Sequence, residues 1–464
     1  MVGLLTSVSP WDEREPVFST AASDERALAA ALERLAGSAR TWAASAAAPA
    51  RAAALTRLAE VLAARRGETC ALLVREAGKA AADAQQEAEA LESKISITLD
   101  AGLARTPPRP PAGARPGEPW RSWRPRGLAA VLGPFNFPLH LLHGLVVPAL
   151  AVGATVLAKP SERCPALGEH YRSCLQQAGL DGVCAVLQGG SELALAFTRL
   201  PELSCLAAVG GRATGVALSR ALAGRPEVVL ALELGGVNPA LLLDDADLGA
   251  AAAAIAEGAW RMAGQRCTAT RVVHVPETRR SALLAALSVE RARWRPDGTP
   301  EGASGPLIAR AAAERQRSAY TPSALPAGLR LHAGSPGPLF AHGACADPLL
   351  LELTDARARA HPLCAEEQFG PALIVDGYQE EEECLARLAA NPYRLSAAVF
   401  TASPARFSAV AERLPYGLVN HNRQTAGARS DQPFGGLGLS GNGRPAGVAA
   451  GMIFCAETVV WPGS

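Results

Sequence analysis

The chain has 464 residues, which is too long for one ordinary hydrophobic core, so two or three domains are expected. Hydrophobic residues make up 49% and charged residues 19% of the chain, with a formal net charge of +1, so no strongly basic surface for nucleic acid is predicted. The ten cysteines include no C-x-x-C pair and no cluster at zinc-ligand spacing, so no metal site is predicted and the thiols are expected to be free, as in the reducing cytoplasm.

The N-terminal part of the chain is predicted to be helical. Residues 1–10 contain no basic stretch followed by an apolar run, so no signal peptide is predicted. Ser23 is expected to cap the first helix. Apolar residues then recur at helical spacing, at Leu28, Ala31, Leu32 and Leu35 and again at Leu55, Leu58 and Leu62. Between residues 106 and 123, six prolines exclude a helix or a central strand, so an extended connector or an excursion at a sheet edge is predicted.

From about residue 128, short apolar segments alternate with stretches long enough for helices. The predicted strands are 128–132, 154–158, 183–188, 205–209 and 228–232. Connections of this length allow crossover helices, so the sequence predicts an α/β fold with a parallel sheet. A second α/β region is predicted from about residue 236 to residue 434.

The segment 139–158 carries no formal charge over the length of a membrane span. Pro148 and Gly153 interrupt it, and two histidines lie inside it. We therefore interpret it as a buried helix that ends near 148–151, followed by a buried strand, and predict no membrane insertion.

The first candidate for chemistry is Cys267, in the segment 264–268, Gly-Gln-Arg-Cys-Thr. It follows a predicted helix, 250–262, and lies in a polar, glycine-containing turn where a thiol can be reached. A reactive cysteine needs thiolate character, from backbone N–H dipoles or a nearby cation. The alternative is a small residue packed in the core.

Two further candidates follow predicted strands. Glu233 begins the segment 233–236, Glu-Leu-Gly-Gly, at the carboxyl end of a strand, where ligands bind in open α/β sheets. Asn136 lies in the segment 133–138, Gly-Pro-Phe-Asn-Phe-Pro, and its amide can donate to a developing oxyanion. The alternatives are a glutamate paired with an arginine and an asparagine that caps the following helix.

Two turns are candidates for cofactor binding. Gly210, Gly211 and Gly215 lie in a turn between a strand and a helix, and such a turn presents amides to a phosphate. The chain has no G-x-G-x-x-G, and this turn lacks the lysine of a P-loop. Lys159 and Glu162, in the segment that also holds Ser161, follow another strand and could hold ribose hydroxyls. The alternative for this segment is a solvated turn.

Together these motifs resemble the aldehyde dehydrogenase superfamily, over about residues 23–462. The segments 233–236 and 264–268 are similar to the family's glutamate and cysteine motifs, at the family's spacing. Asn136 matches the oxyanion asparagine of the family. Lys159, Ser161 and Glu162 match the segment that contacts the adenosine ribose.

Two later motifs extend the resemblance. Glu367 and Phe369, in the segment 367–371, match the residues that hold the nicotinamide ribose. The segment 433–436, Pro-Phe-Gly-Gly, followed by Ser440-Gly441, is similar to a late family signature. One departure is Gly211, which stands where the family usually has serine beside the pyrophosphate. It is expected to loosen NAD binding without abolishing it.

The resemblance implies an aldehyde dehydrogenase-like α/β fold. A Rossmann-like NAD-binding domain would comprise residues 1–107 and 127–235, and an α/β catalytic domain residues 236–434. Residues 108–126 and 443–464 would form a small oligomerisation arm. Family members with such an arm are dimers or tetramers, because the arm adds strands to a partner's sheet.

The resemblance also implies a mechanism. The Cys267 thiolate attacks the aldehyde, and Asn136 and the Cys267 backbone N–H stabilise the oxyanion, by roughly 3 kcal/mol per donor. Hydride leaves to NAD, and Glu233 activates the water that hydrolyses the thioester. An apolar pocket is expected to raise the pKa of Glu233. Transfer of the acyl group to coenzyme A and a non-catalytic binding protein remain as alternatives.

The end of the chain narrows the expected substrate. The segments 420–427 and 438–445 most resemble the family members that oxidise N-succinylglutamate 5-semialdehyde in arginine breakdown, although His421 replaces a more usual tryptophan. That semialdehyde carries two carboxylates, which are costly to bury without a cation. Arg423 and Arg429 are the candidates to bind them, because a guanidinium grips a carboxylate with two hydrogen bonds. The alternative is that both are surface or interface residues.

Overall fold

The N-terminal region consists of a hairpin followed by helices, in a computed structural model that describes residues 3–107 and 118–461. The antiparallel hairpin pairs β1 (Leu4–Val8) with β2 (Pro16–Ala21). The helices that follow are α1 (Glu25–Ala43), α2 (Ala48–Ala64), α3 (Arg66–Ala77) and α4 (Ala81–Ile97). A π-helical turn, Thr98–Gly102, extends α4.

The start of the first helix corrects one prediction. Asp24 caps α1, and its side chain accepts a hydrogen bond from the backbone N–H of Ala27 at 2.8 Å. Ser23 was predicted for this position, but its hydroxyl accepts from the backbone N–H of Gln188 instead, because α1 begins one residue later than expected. The predicted helical faces are confirmed: Leu28, Ala31, Leu35, Leu55, Leu58 and Leu62 are buried.

The first sheet is parallel, as predicted. After β3 (Trp120–Pro125), its strands are β4 (Leu128–Leu132), β5 (Thr155–Lys159), β6 (Cys184–Val186), β7 (Leu203–Gly210) and β8 (Val229–Leu234). Their order is β8-β7-β4-β5-β6. The crossover helices are α5 (His140–Val152), α6 (Pro165–Gln177), α7 (Ser191–Phe197) and α8 (Arg212–Ala221). All five predicted strands are confirmed, with ends that differ by a few residues.

The uncharged segment 139–158 forms the buried helix and strand that were predicted. From Leu145 to Val152 every residue of α5 is buried, and so are all five residues of β5. An uncharged sequence suits this position, because neither element has a face toward water. Within the described parts of the chain, no helix has both the length and the apolar character needed to cross a membrane.

A second sheet follows and is parallel except at one edge. Its strands are β9 (Asn238–Leu242), β10 (Thr270–Pro276), β11 (Leu329–Ala333), β12 (Leu349–Leu353), β13 (Ala372–Tyr378), then, after the short β14 (Tyr393–Arg394), β15 (Ser396–Phe400) and β16 (Leu418–His421). Their order is β11-β12-β13-β10-β9-β15-β16, and only β11 pairs antiparallel among these described strands. The helices are α9 (Leu248–Trp260), α10 (Arg280–Arg293), α11 (Arg310–Tyr320), α12 (Pro362–Ala365), α13 (Glu381–Ala390) and α14 (Pro404–Ala411).

The C-terminal segment contributes one strand to the first sheet and another to a separate pair with β3. Its strands are β17 (Pro433–Phe434), β18 (Leu437–Gly438), β19 (Gly441–Asn442), β20 (Ala446–Gly447) and β21 (Cys455–Val460). β19 pairs antiparallel with β8 and so joins the first sheet. β21 pairs antiparallel with β3, which brings together the two segments predicted as the arm. Residues 108–117 and 462–464 of that predicted arm lie outside the described residues.

Candidate active site

The end of one strand and two turns carry the predicted catalytic side chains. Glu233 lies near the end of β8, and Asn136 lies in the turn between β4 and α5. Cys267 follows α9 in a turn with unusual backbone: Met262, Ala263 and Gly264 all have positive φ, of 56°, 50° and 66°. This left-handed run ends the helix two residues before its predicted end, because such φ values cannot continue a right-handed helix.

Asn136 is tied directly to the turn that carries Cys267. Its Nδ2 donates a hydrogen bond to the backbone oxygen of Gln265 at 2.9 Å, and the side chain is buried. On the other side of the turn, Asn238 Nδ2 donates to the backbone oxygens of Cys267 (2.7 Å) and Ala269 (2.9 Å). Asn136 does not cap α5, so that alternative reading is wrong. One of its two amide hydrogens is used by Gln265, which leaves the second for another acceptor.

Glu233 is buried beside Cys267 without an arginine. Its relative exposure is 1%, and neither carboxylate oxygen has a hydrogen-bond partner among the described residues. The alternative of a strand-end glutamate paired with an arginine is therefore wrong. Burial raises the pKa of Glu233 to about 8, as the sequence predicted in direction. Burial, and then the negative charge of the neighbouring Glu233, raise the pKa of the Cys267 thiol well above its usual value.

Glu367 and Phe369 lie against this same region. Glu367 Oε1 accepts the backbone N–H of Gly236 at 3.2 Å. A larger residue at position 235 would force the Glu367 carboxylate to move, because its Cβ would overlap that group. The Phe369 ring packs edge-on against Phe135, with ring centroids 5.7 Å apart. The structure therefore brings the 367–371 motif to the Cys267 and Asn136 turns.

Arg271 connects two of these motifs and was not among the predicted site residues. Its guanidinium donates to the backbone oxygens of Gly370 and Gly264, both at 2.8 Å, and lies 5.8 Å from the centre of the Phe369 ring. It therefore links the 367–371 segment to the Cys267 turn. A charged residue inside the apolar β10 was the signal that could have revealed it, because buried charges need specific partners.

The predicted phosphate turn has the expected local geometry. Gly210 ends β7 and Gly211 is the residue before α8, with an extended backbone. A Cβ on Gly211 would meet no atom within 4 Å, so the helix N-terminus is open on this side. Gly215 is different, because a Cβ there would lie 2.6 Å from Leu234 Cδ1. That glycine lets α8 pack closely on β8.

The Lys159 segment is not the solvated turn of the alternative reading. Lys159 is buried, and its ammonium donates to the backbone oxygens of Gly189 (2.8 Å) and Pro160 (3.1 Å) and to Glu162 Oε2 (3.3 Å). Burial lowers the pKa of Lys159. Ser161 is also buried, whereas the Glu162 side chain remains half exposed. A fixed ammonium beside a partly exposed carboxylate suits a ligand rich in hydroxyl groups.

The two candidate substrate arginines are both exposed. Arg429 forms two hydrogen bonds with the carboxylate of Asp431, at 2.9 and 2.6 Å. Neither arginine forms a hydrogen bond or ion pair with Cys267, Glu233 or Asn136 among the described residues. Their role as carboxylate ligands stays a prediction. His421, in the same region, stacks on Phe407 with ring centroids 4.4 Å apart.

A metal centre has no counterpart in this geometry. In the ranges 3–107 and 118–461, no three His, Cys, Asp or Glu side chains are grouped so that they could hold a metal ion. All ten cysteines are free.

The family assignment follows from comparison of the whole chain. The sequence model of the aldehyde dehydrogenase family matches residues 4–460. The chain belongs to the aldehyde dehydrogenase family. The family match confirms the resemblance that the motifs around Glu233, Cys267 and Asn136 predicted.

Similar aldehyde dehydrogenases include two bacterial proteins with the same name. N-succinylglutamate 5-semialdehyde dehydrogenase 1 of Caulobacter vibrioides is 39% identical over 442 residues, which cover 93% of this chain and 90% of that protein. N-succinylglutamate 5-semialdehyde dehydrogenase of Escherichia coli O157:H7 is 36% identical over 420 residues, covering 89% and 82%.

Solved aldehyde dehydrogenase structures have the same fold. A variant of aldehyde dehydrogenase C from Pseudomonas syringae, in complex with NAD+ and octanal, gives a TM-score of 0.91 at 25% identity and covers 99% of this chain and 93% of that one. A variant of 1-pyrroline-5-carboxylate dehydrogenase from Thermus thermophilus gives the same TM-score and identity, with coverage of 99% and 90%. The predicted aldehyde dehydrogenase-like α/β fold is confirmed.

Proposed function

We propose that this protein is an NAD-dependent dehydrogenase that oxidises N-succinylglutamate 5-semialdehyde to N-succinylglutamate, in arginine breakdown, through a thioester on Cys267. The observation that carries the proposal is the buried carboxylate of Glu233, which has no cationic partner among the described residues and lies beside the Cys267 thiol. A buried carboxylate without a counter-ion is expensive, and such groups concentrate at functional sites.

The first step is attack of the Cys267 sulfur on the aldehyde carbon. Burial and the neighbouring Glu233 raise the pKa of this thiol, so the thiol must first release its proton to solvent, and the thiolate that forms is the attacking species. The free amide hydrogen of Asn136 and the backbone N–H of Cys267 stabilise the oxyanion that forms. The hydrogen bond from Asn136 to Gln265 supports this role, because it fixes the donor relative to the nucleophile two residues later. Loss of hydride from the tetrahedral adduct leaves the acyl group on the Cys267 sulfur.

The second step is hydrolysis of the thioester. Glu233, in its ionised form, takes a proton from water, and the hydroxide that results attacks the thioester carbon. The products are the carboxylate and the free thiol. A pKa of about 8 suits a base that must accept this proton near neutral pH and later release it.

The residues around α8 and β5 fit NAD. Lys159, Ser161 and Glu162 would hold the adenosine ribose, and the Gly210, Gly211 and Gly215 turn would hold the pyrophosphate. Glu367 and Phe369 would hold the nicotinamide ribose. The open side of Gly211 supports this fit, because a phosphate can approach the helix N-terminus there. When bound, NAD supplies the hydride acceptor.

The substrate proposal rests on the curated relatives and on charge. The relatives at 36–39% identity are named for N-succinylglutamate 5-semialdehyde. Arg423 and Arg429 are proposed to bind its carboxylates. To bind the substrate, Arg429 would have to break its ion pair with Asp431. This pair is exposed to solvent, so breaking it costs little free energy.

Two alternatives predict different products. In the acyl-transferring alternative, coenzyme A takes the thioester acyl group. The presence of Glu233 disfavours this, because members with that activity commonly lack the glutamate. In the other alternative the protein binds without catalysis, which the retention of Cys267 and Asn136 disfavours.

We further propose a cytoplasmic homodimer or homotetramer, with β3 and β21 in the arm. The free thiols and the exposed Val459 of β21 support these assignments.

One assay tests these proposals. The purified protein is given N-succinylglutamate 5-semialdehyde, a neutral aliphatic aldehyde, NAD or NADP, with and without coenzyme A, and NADH or NADPH absorbance is followed. We expect the highest kcat/KM with the succinylated semialdehyde and NAD, without any need for coenzyme A. A higher kcat/KM with the neutral aldehyde would contradict the substrate, and dependence on coenzyme A would contradict hydrolysis.

A further inference from the structure

A buried ion pair packs against the turn that carries Asn136. Lys79 Nζ is 3.0 Å from Glu87 Oε2, and the two side chains are 2% and 0% exposed. Removing two charges from water costs several kcal/mol per ion, and apolar replacements of such pairs are often as stable or more stable. Stability alone is therefore a weak reason for this pair.

The glutamate of the pair holds the residues that follow Asn136. Glu87 Oε1 accepts the backbone N–H of Leu139 (3.1 Å) and of His140 (2.9 Å), at the start of α5. The residue before α5 provides no side-chain cap of its own. A carboxylate from α4 thus satisfies two of the free N–H groups at this helix end and lies at the positive end of its dipole.

The lysine of the pair contacts the same turn. Its ammonium lies 4.0 Å from the centre of the Phe137 ring, the residue next to Asn136, in a cation–π contact. Lys79, Asn136 and Gln265 also line one small cavity, and Lys79 Nζ is 3.9 Å from Met262 Sδ. The pair therefore contacts the Asn136 turn directly and reaches the segment before Cys267.

From this geometry we infer that Lys79 and Glu87 are positioning residues for the oxyanion donor, an inference that rests on the proposed function. Neither side chain touches the reacting atoms. They fix Phe137 and Leu139, and so set the place from which Asn136 donates. Transition-state donors act only within narrow geometry, and a displacement of about 1 Å can cost on the order of 100-fold in rate.

The test compares three variants at this pair. Glu87→Leu removes the acceptor and leaves Lys79 unpaired, so both thermal stability and the rate of the NADH burst should fall, the burst by about 10- to 100-fold. Glu87→Gln keeps an oxygen acceptor and should retain a burst within a few-fold of the wild type. The double variant Lys79→Met with Glu87→Leu removes the unpaired charge, so its Tm should recover while its burst stays slow.

A second ion pair on the same helix provides the matched control. Asp83 of α4 pairs with Arg261 at 2.7 Å and is 5% exposed at its side chain, and among the described residues it forms no hydrogen bond or ion pair with the Asn136 turn. Asp83→Asn should lower the Tm without slowing the burst. NAD affinity, measured by quenching of tryptophan fluorescence, should be the same in all of these variants and the wild type.

Two results would overturn the inference. One is recovery of the burst together with the Tm in the double variant, and the other is an equal slowing of the burst in Asp83→Asn. Either would mean that the pair acts through stability alone. Failure of the proposed function would look different, because the wild type itself would then give no NADH burst with the semialdehyde. In that case the positioning role of Lys79 and Glu87 would be contradicted as well.

Discussion

Asn136 donates a hydrogen bond to the backbone oxygen of Gln265, two residues before Cys267, at 2.9 Å. The proposed oxyanion donor and the proposed nucleophile are thus held in one hydrogen-bonded unit, although 131 positions of sequence separate them. We expect Asn136→Ala to lower kcat by roughly 100- to 1000-fold, the usual loss when an oxyanion donor is removed. Steady-state kinetics with the semialdehyde provide the measurement.

The Asn136 prediction has an internal control. Asn136→Asp keeps the size of the side chain but replaces the donor by an acceptor, so it should be no faster than the alanine variant. If Asn136→Asp kept near wild-type kcat, donation to the oxyanion would not be the function of this residue.

The two proposed covalent-chemistry residues should fail in different ways. Cys267→Ala should abolish turnover, because no other described thiol lies beside Glu233. Glu233→Gln should still form the thioester and hydrolyse it slowly, which gives a burst of NADH followed by a slow steady state. Rapid-mixing absorbance separates these outcomes. Appreciable turnover by Cys267→Ala would contradict the covalent mechanism.

The buried carboxylate also predicts a pH dependence of stability. The pKa of Glu233 is about 8 in the folded protein against an ordinary value of 4.5, so folding favours its protonated form. Its contribution to the free energy of unfolding is full below about pH 4.5 and is lost as the pH rises to about 8. Glu233→Gln cannot ionise, so its Tm advantage over the wild type should grow between these pH values and stay constant above them.

Thermal melts at intervals from pH 5 to pH 9 measure this difference. The rate of thioester hydrolysis in the wild type should rise across the same range, because only the ionised carboxylate can accept the proton from water. A difference in Tm that does not change with pH would mean that Glu233 is not held protonated by burial.

The arginines of the 420–429 region predict a difference between substrates. Arg423→Ala or Arg429→Ala should raise KM for the succinylated semialdehyde about tenfold or more, the scale of one lost charge-assisted hydrogen bond, and should leave a neutral aldehyde unaffected. Arg199→Ala, which changes another exposed arginine, serves as the control. Equal losses on both substrates would contradict the carboxylate-binding role.

The departure at Gly211 predicts a gain of affinity. Gly211→Ser adds a side chain where the structure has no atom within 4 Å, at the residue that precedes α8. The hydroxyl should cap the helix and, with NAD bound, donate to the pyrophosphate. Calorimetric titration should show a several-fold lower Kd for NAD, and an unchanged or higher Kd would show that serine gains nothing here.

The sequence predicted much of this architecture because its signals were local. The strands of the first sheet are short apolar segments, and Glu233 stands at the end of one of them, so their positions could be read along the chain. The local pattern gives no clear signal for the hairpin β1–β2, since its alternation is weak and nearly all of its residues are exposed or partly exposed. Ser23 was mistaken for the cap because Asp24, the next residue, is an equally good one.

Other features depend on contacts between distant segments, which a single sequence does not display. The link from Arg271 to Gly370 spans 99 positions, and the pairing of Glu87 with the start of α5 spans 52. The sequence also does not show that the Glu233 oxygens lack a hydrogen-bond partner among the described residues, because this depends on whether folding brings an arginine to them. A charged residue in an apolar segment indicates that it has a specific partner in the fold, but the sequence does not show which residue that partner is.

The pairing of β19 with β8 has a consequence for the order of biosynthesis. Asn442 Oδ1 accepts the backbone N–H of Leu232, and Leu234 donates to the backbone oxygen of Ser440, so the strand that carries Glu233 gains its outer neighbour from residues 440–442. A ribosome that has completed β8 must still translate more than 200 residues before that edge is covered. Until then β8 presents an unpaired edge to other strands. The nascent chain thus carries this open strand edge for nearly half of its synthesis, and that interval is when a chaperone would protect it best.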